Sequence, residues 1–359
     1  MACVAVCPKK AIVVNESPEY YNAEINTELC VNCNACHRVC QVNNSPGLTE
    51  PKQWLQGWSA DSAQRKNCAS GGAAYEIEKA FLSGNGHVWT CRFNNGGFYI
   101  EEVNGAGSLR EFANSKYVKS NPIKAYREIR TQLKTDRVLF VGLPCQVAGL
   151  KNFIGANNRD NLYTVDLICH GSPSPKLLET FLNQYKASLS TASDISFRAK
   201  TGSGIRFEVK ADSKPFATAG TCDCYTMGFL EGLTYTENCY SCPYASTKRV
   251  SDLTLGDSWG SELEQAQIKS GISLFIIQTD KGRELVERAA LETCGVDIEK
   301  AIANNSQLTT PMNLPENRVR FFAMLKKHSF NYSISRCLPK FWVKQKIKAA
   351  LIRTRLIRP

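Results

Sequence analysis

The stretch CVNCNACHRVC narrows what this chain can fold into more than any other, because it sets Cys30, Cys33, Cys36 and Cys40 at C-x2-C-x2-C-x3-C spacing. Two-residue gaps wrap three thiolates around one face of an iron–sulfur cubane, and the fourth cysteine is carried away to a second cluster. The opening residues MACVAVCPKK hold Cys3 and Cys7 followed by Pro8, which is the second half of the same run.

In a two-cluster ferredoxin module, Cys30, Cys33 and Cys36 pair with Cys7 to complete one 4Fe-4S cluster. Cys3 and Cys40 then belong to a second cluster that needs two more cysteines upstream. Met1 and Ala2 stand where two spacer residues of the first motif would stand. The expectation is a start placed inside the motif, with an in-frame C-x-x-C directly before it and two N-terminal clusters in the natural protein. A one-cluster remnant and a zinc site are the alternatives, and the spacing together with the Cys-Pro half-motif favours iron–sulfur.

Sixteen cysteines in 359 residues would signal disulfides in a secreted chain, but here they fall in short clusters typical of ligation. No apolar run approaches the roughly 18 residues of a membrane span, and the N-terminus has no signal-peptide pattern. The expected compartment is therefore the cytoplasm. The net charge of +11 is no nucleic-acid footprint, because from Lys326 onward there are ten basic residues and no acidic one.

After NNSPGL the pattern turns to alternating strands and helices. CASGGAAYEIEKAFLSGNG reads as a glycine turn opening a helix, with Ala73, Ile77, Ala80 and Phe81 on one face and Gly84 and Gly86 at its end. HVWTCRF follows as a strand. The N–H groups of such a turn suit a phosphate, although an ordinary turn has the same composition. DRVLFVGLPCQVAGLKNFIG and NLYTVDLICHGSPSPKLLETFLNQY each give strand, turn and helix, the mark of parallel strands in an α/β sheet. Cys145 and Cys169 each fall just past such a strand, where open α/β sheets place their sites. Cys239 and Cys242 precede the strand-like RVSDLTLGDSWG and complete a four-thiol set drawn from separated loops. Core cysteines and a zinc half-site are the plainer accounts of the same residues. SLFIIQTDKGRELVERAALE closes the core as a last strand–helix unit.

SKYVKSNP, VLFVGLPCQVAGLK, DLICHGSPSPK, CYSC and RVSDLTLGDSWG together resemble the beta subunit of coenzyme F420 (deazaflavin) reducing hydrogenases and dehydrogenases. The resemblance implies an inner 4Fe-4S cluster on Cys145, Cys169, Cys239 and Cys242, beside a flavin, FAD with FMN as the alternative. It makes Ser70, Gly71, Gly72, Gly142, Pro144 and Gln146 flavin-loop candidates, with Asp252 and Asp257 on the flavin or substrate side and His170 a candidate proton donor. The implied partners are ferredoxin or another electron donor and a small-molecule or lipid-linked substrate. Use of the deazaflavin itself does not follow.

The expected architecture is α/β, α+β overall. A ferredoxin-type 4Fe-4S module over residues 1–45 is followed by a mixed, partly parallel α/β flavin domain over 58–325 and a basic tail over 326–359. The leading function is an iron–sulfur flavoprotein oxidoreductase in which electrons enter at the N-terminal clusters and reach the flavin through the inner one. A relay subunit without its own substrate site and a zinc-stabilised interaction or nucleic-acid module are the competing readings. The tail beyond Pro339 carries Trp342 among lysines and arginines, a composition suited to an amphipathic helix on an anionic membrane, and the competing expectation is a helix docked on the protein itself.

Overall fold

The computed structural model describes residues 1–156, 158–201 and 204–357. Thirteen strands are defined among them: β1 (Ile12–Glu16), β2 (Tyr21–Ile25), β3 (Gln53–Ser59), β4 (His87–Asn94), β5 (Gly97–Glu102), β6 (Val138–Gly142), β7 (Leu162–Leu167), β8 (Ile195–Thr201), β9 (Gly204–Ala211), β10 (Lys214–Pro215), β11 (Leu253–Asp257), β12 (Ser273–Ile277) and β13 (Leu291–Gly295).

Eight of them form one mixed sheet in the order β13-β3-β12-β11-β7-β6-β4-β5. Its centre is parallel, with β4 on β6, β6 on β7 and β7 on β11. The flanks are antiparallel, β5 on one side and β12, β3 and β13 on the other. β6 reads VLFVG with every residue buried, as a strand covered on both faces must. The helix Ala73–Ser83 lies where the turn and the periodicity place it, with Ala73, Ile77 and Phe81 buried. Thus the mixed α/β class read from the strand–helix alternation is the class observed.

A second, three-stranded antiparallel sheet, β10-β9-β8, has its own core. Phe181, Phe197 and Tyr225 meet Phe321, Phe330 and Ile334 there, so the core extends past residue 325 into the helix Phe330–Cys337. The tail helix Pro339–Arg353 packs on this unit. Phe341 and Trp342 lie against the core, and Gln345 accepts a bond from the Cys222 N–H at 3.0 Å. The expected separation into an apolar and a basic side is not found, because the tryptophan turns inward while Val343 and Ile347 face outward among the lysines. Among the described residues no helix is long and apolar enough to cross a membrane.

The cysteine-rich N-terminal module consists of the hairpin β1–β2 and two short helices, Ala2–Val6 and Ala35–Val39. Ala2, Ala5 and Val39 share one core with Trp89, Tyr126 and Phe140 of the larger unit. Arg127 donates to the Ala5 and Val4 carbonyls at 3.0 and 3.2 Å. Gly149 permits this approach: a Cβ there would stand 3.1 Å from the Tyr126 hydroxyl and 3.7 Å from the Ala2 Cβ.

Candidate metal centre and cofactor crevice

Parallel strands that end side by side bring their following loops to one edge, and that edge gathers the thiols. Cys145 sits in the first turn of the helix Pro144–Ile154, directly after β6. Cys169 follows β7. Its loop is held open by Gly171, whose φ is +139° and whose place for a Cβ is filled by the Tyr235 ring. Cys239 ends a single 3-10 turn, Glu237–Cys239, and Thr236 just before it donates through its N–H to the Ser172 carbonyl at 3.2 Å. That bond ties the Cys239–Cys242 loop to the Cys169 loop.

A buried ion pair supplies the second tie. Arg249 bonds Asp166 Oδ1 through Nη2 at 3.0 Å and donates to the carbonyls of Leu167 at 3.1 Å and Tyr244 at 2.8 Å. Both side chains of the pair are essentially without solvent contact. Consequently the segment after Cys242 is stapled to the strand that leads into Cys169.

All four thiols are half-buried and free of disulfides. Burial raises the pKa of Cys145, an effect that Lys119 opposes and Cys239 reinforces. Burial likewise raises Cys169, with further upward contributions from Cys239, Cys145 and Cys242, and it pushes Cys242 up to about 11. These mutual effects mark the four thiols as electrostatic neighbours. One ammonium stands in it: Lys119 Nζ is 3.8 Å from Cys239 Sγ. Burial disfavours that charge, yet Cys239, Cys145, Cys169 and Cys242 together raise the lysine's pKa. Among the described residues no three His, Cys, Asp or Glu side chains are grouped as a single metal ion requires. A set of four thiolates is the donor chemistry that 4Fe-4S clusters and structural zinc both use.

Two tyrosines have cysteines of both sets as electrostatic neighbours. Burial raises the pKa of Tyr126, and Cys145 and Cys3 add to the shift. Burial also raises Tyr244, with smaller contributions from Cys145, Cys242 and Cys40. Tyr126 donates its hydroxyl to the Gln146 carbonyl at 2.7 Å and Tyr244 donates to the Gln41 carbonyl at 3.1 Å. Cys33, in the Cys7, Cys30, Cys33 and Cys36 set, is exposed.

The flavin candidates divide between two ends of the sheet. Ser70 donates to the Ile272 carbonyl at 3.0 Å, and Lys200 donates to the Ser70 carbonyl at 2.5 Å. A Cβ on Gly71 would lie 2.6 Å from the Gly57 carbonyl oxygen, so close chain packing alone already demands a glycine there. Gly72, with φ +90°, caps the helix Ala73–Ser83. Gly142 ends β6 and Pro144 opens the next helix. Gln146 has both ends of its amide engaged, accepting from the Leu143 N–H at 2.9 Å and donating to Ser120 Oγ at 2.9 Å. Asp257 ends β11, on the carboxyl-end side of the parallel strands, and forms a bidentate pair with Arg198, at 2.9 and 3.2 Å. His170 is exposed, with Asp257 and Arg198 as its electrostatic neighbours. Asp252 is at the opposite, amino end of β11, where it accepts from Thr164 and Thr279.

Sequence reasoning passes over Lys119, Arg249 and Arg198. SKYVKSNP carries the first of these in plain view. No local pattern marks a lysine that will meet four thiols from three other segments.

Sheet and thiols together define the class: a mixed α/β protein with Cys145 and Cys169 just past the carboxyl ends of two neighbouring parallel strands. Comparison with known proteins adds a family resemblance. Residues 135–299 match the profile for the carboxy-terminal part of the coenzyme F420 hydrogenase/dehydrogenase beta subunit. The SKYVKSNP stretch lies before the matched region. The chain is 25% identical over 180 residues to the F subunit of the F(420)H(2) dehydrogenase of Methanosarcina mazei, covering 47% of this chain and 51% of the relative. The match thus spans about half the length of that relative. A chain of the F420-reducing nickel–iron hydrogenase complex from Methanosarcina barkeri superposes with a TM-score of 0.49 at 19% identity, covering 73% of this chain and 92% of that one.

Proposed function

We propose that the protein is an iron–sulfur flavoprotein oxidoreductase subunit that carries electrons from an N-terminal ferredoxin-type module to an organic substrate. The observation that carries this reading is the convergence of Cys145, Cys169, Cys239 and Cys242 on one ammonium at the carboxyl ends of parallel strands. Those four side chains would hold a 4Fe-4S cluster, and Cys7, Cys30, Cys33 and Cys36 a second one. Cys3 and Cys40 would be ligands to a third. The bound clusters would supply one-electron steps and a flavin their conversion to a two-electron hydride.

The chain's own residues support the path. Tyr126 and Tyr244 belong to the core shared with the N-terminal module, and each is anchored to a backbone carbonyl beside a cysteine, Gln146 next to Cys145 and Gln41 next to Cys40. FAD, or FMN in its place, is proposed for the crevice flanked by the Ser70–Gly72 turn, Gly142, His170 and the Arg198–Asp257 pair. There His170 would exchange a proton with substrate. Gln146 and Pro144 act on this crevice through the backbone they hold.

The Methanosarcina mazei relative is named as a subunit, which favours a second reading in which the chain passes electrons to a separate catalytic partner. Ferredoxin or a similar carrier is the proposed donor, and the exposed Cys33 side of the module is where it would deliver electrons. The substrate is proposed as a small or lipid-linked organic molecule.

Iron, sulfide and flavin measured after anaerobic purification test the assignment. Alanine at Cys145, Cys169, Cys239 or Cys242 is expected to remove one cluster's iron and slow flavin reduction from the N-terminal side. Full iron and normal reduction in any of the four variants excludes that residue as a ligand. A colourless protein containing zinc overturns the whole reading.

A further inference from the structure

Among the described residues no carboxylate lies within ion-pairing distance of Lys119, whereas sixteen other ion pairs form across the molecule. Its polar side-chain contact is Cys239 Sγ at 3.8 Å. Removing an ammonium from water is costly unless an opposite charge receives it, and here the candidates are the sulfurs.

The backbone makes this placement deliberate. The Lys119 N–H donates to the Pro173 carbonyl at 2.9 Å, four residues past Cys169. The next residue, Ser120, accepts from Gln146 Nε2 at 2.9 Å and so holds the helix turn that carries Cys145. Lys119 is therefore fixed to the loops of two of the cysteines and touches a third. Lys116, three residues earlier in sequence, is spent differently, on the backbone carbonyls of Phe112 and Ala113.

We propose that Lys119 is the permanent counter-cation of the inner four-cysteine centre and that its positive charge sets the reduction potential of that centre. The proposal rests on the reading that these thiols hold a 4Fe-4S cluster. Reduction adds one electron and one negative charge to a cluster that already carries four thiolates. A fixed cation and an N–H donor at a ligand sulfur both favour the more negative state, so the lysine raises the potential. The electron comes from the N-terminal module or, in the test, from dithionite; no bond forms or breaks at the lysine.

The experiment compares wild-type, Lys119→Gln and Lys119→Arg proteins, with Cys239→Ala as the control that identifies the inner centre's signal. Each is purified anaerobically, assayed for iron, and titrated potentiometrically with cluster signals followed by electron paramagnetic resonance. Lys119→Gln is expected to keep its iron while its inner centre becomes at least tenfold harder to reduce at a given potential, a downward shift of about 59 mV for a one-electron couple. Lys119→Arg is expected to titrate within a small fraction of that shift from wild type. An unshifted midpoint in Lys119→Gln with iron intact overturns the proposal. Loss of the inner centre's iron in Lys119→Arg as well as in Lys119→Gln also overturns it, because the charge is conserved in one of them. Failure of the underlying assignment looks different: Cys239→Ala would then hold as much iron as wild type.

Discussion

Replacing Arg249 by methionine tests whether the staple between β7 and the Cys239–Cys242 loop holds the centre together. Methionine fills similar volume but can form none of the bonds that Arg249 makes to Asp166, Tyr244, Leu167 and Thr254. Asp166 would remain in the core as an unpaired carboxylate. Its Oδ2 already has no hydrogen-bond partner among the described residues. Removing one member of a buried pair costs about 3–5 kcal/mol, and each of the two stranded carbonyls adds about 1 kcal/mol, so the total is about 5–7 kcal/mol. With an unfolding entropy of about 2 cal/mol/K per residue, a chain of this length loses about 7–10 °C in Tm. Anaerobic calorimetry measures this, and iron analysis measures the companion effect. The loop freed from β7 no longer presents Cys239 and Cys242 beside Cys169, so one cluster's iron should fall with the Tm. Asp166→Asn added to Arg249→Met should recover part of the Tm but not the iron, since it removes the stranded charge without restoring the staple. A Tm within about 1 °C of wild type and a full iron complement in Arg249→Met would refute the reasoning.

Glu78 gives a pH signature, because burial pushes its carboxyl up to about 7 despite the opposing effects of Lys116 and Thr90. With the folded pKa above the unfolded one, its contribution is fully present below about pH 4.5 and is lost as pH rises through about 7, up to about 3 kcal/mol. Urea unfolding of Glu78→Gln between pH 5 and 8 should show a flatter profile than wild type, and parallel profiles would contradict the shift. Deletion of residues 340–359 removes the packing of Phe341 and Trp342 and the Gln345 bond to Cys222. The expected result is a loss of about 2–4 kcal/mol in unfolding free energy and faster alkylation of Cys222, and an unchanged melting curve would contradict docking. If the outward Val343 and Ile347 with their neighbouring lysines also meet an anionic membrane, sedimentation with anionic liposomes should weaken from 0.1 to 1 M salt, as the Debye length falls from about 10 to 3 Å.

What the chain declares by itself is whatever repeats over a few residues. The all-apolar run VLFVG can only be a strand covered on both faces, and CASGGAAYEIEKAF carries a turn and a helical stripe within one window. The cysteine spacings are equally local. They mark the N-terminal cysteines as candidate ligands from sequence, since three thiolates on one cubane face need only two-residue gaps. Tertiary structure decided the rest, because those facts depend on contacts between segments far apart in the chain. Asp252 and Asp257 lie five residues apart in one motif, yet the strand direction sends one to the foot of the sheet and the other to the carboxyl-end side of the parallel strands. Trp342 has the surroundings of a membrane anchor in sequence, yet a core built far away in the chain, around Phe181, accepts its ring. Lys119 has no signature at all, for what distinguishes it is a charge environment assembled from β6, β7 and the Cys239 loop. Local periodicity records which face of an element is buried; it holds no information about which distant side chain will be waiting there.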